Sequence, residues 1–233
     1  MRKIGLLLSL SAVLIFSAAG PVSAQSPEES LRQNFPNVKF EKINPTPIKG
    51  IYEVIHKGGI LYYAPESQSI ISGEIYGKDG RSITQDRRLE IIRGKVKDIP
   101  LEKAMKMGAG SQTVIEFSNP DCSYCRQASK YLSGKKDLTR YVFFLPFNPQ
   151  TERKVKQILC AADRAKAYEE AMEGKPDFQK KEVCNSKEID ELMKTHKEVA
   201  QRLGINATPF FVIGDQVVQG ADMAALERLL GKK

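Results

Sequence analysis

The stretch Phe117-Ser118-Asn119-Pro120-Asp121-Cys122-Ser123-Tyr124-Cys125-Arg126 places two cysteines three residues apart at a strand-to-helix junction. Before it, Thr113-Val114-Ile115-Glu116-Phe117 reads as a short buried strand of β-branched and aromatic residues. After it, Arg126 to Leu132 reads as helix, with Pro120-Asp121 marking the turn. Cysteines at i and i+3 on a first helical turn share one face, close enough for a disulfide to form and open. Cys122 there meets unpaired N–H groups and the positive end of the helix dipole, both of which favour a thiolate. A thiolate attacks disulfides, and a second sulfur one turn on releases the resulting mixed disulfide. The pattern points to thiol redox chemistry. Two other readings stand beside it, an inert structural disulfide and half of a zinc site. A zinc site needs a second close pair of ligands, whereas Cys160 and Cys184 are widely spaced and His56 and His196 are isolated. No metal or cofactor is therefore expected.

Outward from this motif, the amino end opens Met1-Arg2-Lys3, runs apolar from Ile4 through Ala19 and closes small at Val22-Ser23-Ala24. A basic start, a short apolar middle and an A-x-A-like end predict a secretory signal peptide over 1–24, cleaved after Ala24. An uncleaved anchor is the alternative, which Gly20 and Pro21 disfavour by breaking the segment. Removing Arg2 and Lys3 lowers the formal charge from +8 to +6, and acids and bases are interspersed along the remainder. No basic block interleaved with aromatics appears, so nucleic acid is not an expected partner. Export together with four cysteines implies an oxidising compartment.

Residues 25–85 read as a small α+β unit. Ser26-Pro27-Glu28-Glu29 starts a helix that runs to about Asn34. Asn44-Pro45-Thr46-Pro47 reads as a stiff connector, 51–56 and 60–64 as a hairpin around Lys57-Gly58-Gly59, and 69–71 with 74–76 as further strand. A unit of this size has a marginal core, so pairing with a second copy is expected, a monomeric appendage being the alternative. Residues 86–109 read as a helical linker. Leu89, Ile92 and Val96 recur at helical spacing, Pro100 interrupts, and Leu101 to Met107 resumes helix before Gly108-Ala109-Gly110. From 110 onward, strand, helix and the strand Tyr141–Leu145 form a βαβ unit. A charged helical insertion over about 151–204 follows, then Thr208-Pro209, a hairpin and a helix from Met223 to Leu230.

This order resembles the thioredoxin fold, and nearly the whole chain resembles the periplasmic disulfide isomerases of the DsbC/DsbG type. The resemblance implies an α+β N-terminal dimerisation domain (cystatin-like) joined by a helical linker to an α/β thioredoxin-like domain with a helical insertion. It implies a homodimer, exported clients with wrong disulfides, a membrane thiol reductase of the DsbD type as partner, and chaperone-like holding. It makes Cys122 the nucleophile and Cys125 the resolving thiol. Thr208, Pro209 and Tyr124 become substrate-binding residues, with Thr208-Pro209 cis, a trans proline being the alternative. Leu159-Cys160-Ala161-Ala162-Asp163 and Cys184 resemble the family's structural disulfide; a second reactive pair is the alternative. Two positions depart from the pattern. Ser123-Tyr124 stands where Gly-Tyr is usual, and Glu116 stands where these isomerases tend to be apolar. Glu116 is read as a proton relay for Cys125, with an ordinary strand glutamate paired to a lysine as the alternative. A DsbA-like oxidase and a non-catalytic holdase remain as alternative functions.

Overall fold

The computed structural model describes residues 25–231, so the expected signal peptide lies outside the described residues. The first helix, α1 (Pro27–Asn34), begins at a reciprocal cap: Glu29 N–H donates to Ser26 Oγ at 3.2 Å and Ser26 N–H to Glu29 Oε2 at 3.1 Å. Its Leu31 is buried with Val54 and Tyr63 of an antiparallel sheet. That sheet runs β1 (Lys42–Pro45), β2 (Tyr52–His56), β3 (Gly59–Ala64) and β4 (Ser69–Ile71), in chain order. Asn44-Pro45, expected in a connector, is thus strand: Pro45 ends the edge strand, where a missing N–H costs little. Glu74–Tyr76, expected as strand, is not. Ile75 N–H instead donates to Thr84 Oγ1 at 2.8 Å, and Tyr76 makes one isolated bridge to Ser82.

The helix in the segment expected as a helical linker is fastened at both ends. In α2 (Ile83–Lys95) the first turns reach back to the first sheet. Thr84 hydrogen-bonds Tyr62 Oη, and Arg87 pairs with the nearly buried Glu53 at 3.1 Å. Its last turns give Ile92 to the core of the second unit, with Leu89 and Val96 packed against it. A second correction concerns Leu101–Met107. Only Leu101–Lys103 is helical, as a 3-10 turn, and Met105–Met107 is strand β5, antiparallel to the strand Leu138–Phe144.

The second sheet has the order β5-β7-β6-β8-β9, built from β5, β6 (Gln112–Ser118), β7 (Leu138–Phe144), β8 (Phe210–Ile213) and β9 (Gln216–Gln219). Strands β6 and β7 are parallel and joined by α3 (Ser123–Ser133); the other pairs are antiparallel. Gly110 permits the close crossing before β6, since a Cβ there would lie 2.0 Å from Asp137 C and Leu138 N. Alternation along β6 sends Ile115 and Phe117 to one face and Val114, Glu116 and Ser118 to the other. The first face packs on α6 (Lys187–Leu203) through Phe143, Val199 and Leu203. The second is covered by α3, α5 (Arg164–Glu173) and α7 (Met223–Leu230), with α4 (Pro149–Cys160) completing that layer. Buried His196 of α6 accepts a hydrogen bond from Phe144 N–H at Nδ1 (3.1 Å) and meets Lys103 O through Nε2 (2.7 Å). It thereby ties α6, β7 and the turn before β5 together. Among the described residues, no helix is long and apolar enough to cross a membrane.

Candidate active site

Cys122 is the N-cap of α3, in extended conformation, and Cys125 is the third residue of the helix. Both are free thiols; Cys122 is half-buried and Cys125 fully buried. Asn119 makes an Asx turn ahead of them, with Asp121 N–H donating to its Oδ1 at 2.8 Å and Cys122 N–H to its carbonyl at 3.1 Å. The Thr208–Pro209 peptide bond is cis, and the Cys122 thiol lies 3.5 Å from the Thr208 carbonyl. Burial pushes the Cys125 thiol up to about 12, and its neighbour Cys122 acts in the same direction. Hydrogen bonds from the Thr208 hydroxyl and the Asn119 N–H oppose this without overcoming it. The two sulfurs therefore occupy unlike environments, one reachable and one shielded. Tyr124, between them, is 63 % exposed.

The loop is pinned from several sides. Asn119 Nδ2 donates to Leu145 O at 3.2 Å, and Arg126 Nε to Pro120 O at 2.8 Å. Asp121, which by charge alone opposes a thiolate at Cys122, is engaged by Lys154, by Thr151 Oγ1 at 2.7 Å and by Arg126 at 3.6 Å. Burial would raise its pKa, but these contacts hold the carboxyl below its usual range. Thr151 and Lys154, on α4, carry no local signal in the sequence.

Glu116 lies wholly inside the fold, on the sheet face beneath α3. Its partner is Arg140 of β7, whose Nη2 and Nε donate to Oε2 at 2.6 and 3.1 Å. Tyr168 Oη donates to Oε1 at 2.7 Å and contacts Ser118 Oγ at 2.8 Å; Arg140 Nη2 also reaches Ser129 of α3 at 3.3 Å. Burial and the nearby Glu116 charge raise the Tyr168 phenol well above its ordinary value, so it serves as a donor. An arginine thus stands where a lysine was the alternative expectation.

Cys160 and Cys184 form a disulfide, joining the end of α4 to the coil before α6, remote in sequence from the free pair.

Residues 17–85 match the disulfide bond isomerase protein N-terminal domain family, and residues 100–227 match the thioredoxin-like domain family. Over 148 residues, 61 % of this chain, the sequence is 31 % identical to the probable thiol:disulfide interchange protein DsbC of Bordetella avium. The match spans 53 % of that relative, about half its length. The thiol:disulfide interchange protein DsbC of Escherichia coli is 25 % identical over 202 residues, covering 82 % of this chain and 81 % of that protein. Among solved structures, a linker-deletion mutant of Proteus mirabilis ScsC matches with TM-score 0.55 at 18 % identity, over 64 % of this chain and 85 % of its own, a likeness of fold. The chain belongs to the thioredoxin-like family, in the two-domain form of the DsbC type.

Proposed function

We propose that the chain is a thiol-disulfide interchange protein that isomerises or reduces wrong disulfides in exported proteins. The observation that carries this is the asymmetry of the pair: Cys122 is half-exposed at a helix start beside the Thr208 carbonyl that precedes the cis-proline, whereas Cys125 is buried and its pKa pushed up to about 12. The Cys122 thiolate attacks one sulfur of a substrate disulfide, forming a mixed disulfide and releasing the other sulfur as a thiolate. In isomerisation that substrate thiolate attacks elsewhere, and Cys122 is eventually released unchanged. In reduction Cys125 displaces the substrate thiol, leaving a Cys122–Cys125 disulfide and two electrons on the substrate. The oxidised pair then needs an outside dithiol, for which a membrane thiol reductase of the DsbD type is the proposed donor.

In this reading the Thr208 backbone, turned by Pro209, pairs with an extended substrate strand, and Tyr124 offers an exposed aromatic contact. Glu116 serves as proton relay. What supports this is its complete burial on the sheet face beneath α3 and the hydrogen bond it accepts from Tyr168 Oη, which also meets Ser118 Oγ. The N-terminal unit supplies the homodimer interface and a cleft with chaperone activity, in a periplasmic location. The domain match over 17–85 favours isomerase over a DsbA-like oxidase, and two intact free thiols speak against a non-catalytic holdase. Refolding of scrambled ribonuclease under limiting reductant tests the proposal. Recovered activity that disappears in Cys122→Ser is expected; oxidation without reshuffling indicates the oxidase, and neither result the holdase.

A further inference from the structure

The loop after β7, one face of α6 and two residues of α4 enclose a cleft of about 660 Å³ that the redox pair itself does not fill. Buried Leu145, Ala200 and Ile205 form its apolar floor, and Phe147, 60 % exposed, stands on its wall. Two connections bring this cleft to the sulfur. Leu145 N–H donates to Ser118 O at 2.9 Å, at the root of the cysteine loop. Asn206, at its other margin, lies two residues before Thr208, whose carbonyl is 3.5 Å from Cys122 Sγ.

The rim carries charges of both signs. Its acids Glu152 and Asp190 are both engaged by Lys156, at 3.7 and 2.8 Å. Lys194 reaches Glu198 at 3.8 Å, and Lys197 makes no ion pair among the described residues. One lysine thus stands against two carboxylates, and Lys197 is the rim cation without an ion-pair partner among the described residues. An extended strand advances about 3.3 Å per residue, so a chain lying along Asn206–Thr208 enters the cleft within two or three residues of its attacked cysteine.

Building on the thiol–disulfide interchange reading, we propose that this cleft holds the segment of an unfolded polypeptide that flanks the cysteine under attack. One large apolar side chain of that segment lies against Leu145 and Phe147, and an acidic neighbour faces Lys197. The site would thus make the enzyme prefer cysteines flanked by an apolar–acidic pair.

The test uses the mature chain with Cys125→Ser, which traps the mixed disulfide, and peptides carrying one cysteine activated as a mixed disulfide. Each peptide places Phe-Asp, Ser-Asp, Phe-Lys or Ser-Lys two to three residues from the cysteine, on its amino or its carboxyl side. The expected result is trapping of Phe-Asp roughly ten-fold faster than Ser-Lys in one of the two series. Phe147→Ser should remove the Phe preference, and Lys197→Glu should invert the Asp preference, by roughly two- to five-fold. Equal rates for all peptides, or preferences untouched by both substitutions, overturn the cleft and leave the interchange reading standing. Absence of any trapped peptide while Cys122 still reacts with iodoacetamide overturns both.

Discussion

Glu116 and Arg140 form an ion pair closed off from solvent, one on β6 and the other on its parallel neighbour β7. Removing one partner leaves a charge stranded in the core, which costs about 3–5 kcal/mol, whereas replacing both with apolar groups of similar size is close to neutral. Glu116→Gln is therefore expected to lower the denaturation midpoint strongly, and Glu116→Leu with Arg140→Met to restore most of it. The double variant separates fold from chemistry. If Glu116 relays protons, resolution of the mixed disulfide by Cys125 slows roughly a hundred-fold in this well-folded variant. Single-turnover kinetics with an unchanged resolving rate would exclude the relay.

The shielded sulfur makes a labelling prediction. A thiol with a pKa near 12 stays protonated throughout the neutral range, and burial also blocks reagent access. Iodoacetamide at pH 8 should add one carbamidomethyl group to the folded, reduced protein, at Cys122, and a second at Cys125 only after unfolding. Peptide mass spectrometry reads both sites. Rapid double labelling of the folded protein would contradict the asymmetry on which the proposed function rests.

His196 predicts an acid dependence of stability. Burial lowers its pKa from 6.5 to about 4, against the contrary pull of the Lys103 carbonyl. The folded state thus favours the neutral ring, which accepts from Phe144 N–H. Its contribution is complete above pH 6.5 and is lost as pH falls through about 4, amounting to about 3 kcal/mol. Urea titrations between pH 7 and pH 4 should show this decline. In His196→Gln, which keeps a neutral side chain, the slope should be shallower; an identical slope would assign the acid sensitivity elsewhere.

The Cys160–Cys184 disulfide closes a loop across a sequence separation of 24 residues. In the chain-entropy account such a closure stabilises by roughly 3 kcal/mol. Cys160→Ala with Cys184→Ala should lower stability by up to that amount while Cys122 keeps its iodoacetamide reactivity. Loss of that reactivity in a folded double variant would mean that the insertion shapes the redox pair directly.

What the sequence made legible was local. Cys122 and Cys125 fall at a helix start that Pro120-Asp121 marks within two residues, and the structure adds Asn119 to that turn. The Ser26–Glu29 cap and the hairpin around Gly58 are of the same kind. The partners that complete the site lie far along the chain: Arg140 is 24 residues from Glu116, Tyr168 is 52, and Lys154 is 33 from Asp121. No periodicity encodes such pairings. Met105–Met107 has the residues of a helix, and only the open edge of β7 makes it a strand. Gly110 looked like a boundary marker, but it allows two backbones to cross where no side chain fits.

The doubly fastened α2 has a mechanical consequence. Thr84 and Arg87 grip one sheet, while Ile92 is sunk in the core of the other. Lys95 adds a strut, touching both Glu41 ahead of β1 and the Arg202 carbonyl at the end of α6. Such a helix behaves as a splint: twisting the front lobe levers directly on the lobe that bears the sulfurs, with little slack to absorb the torque.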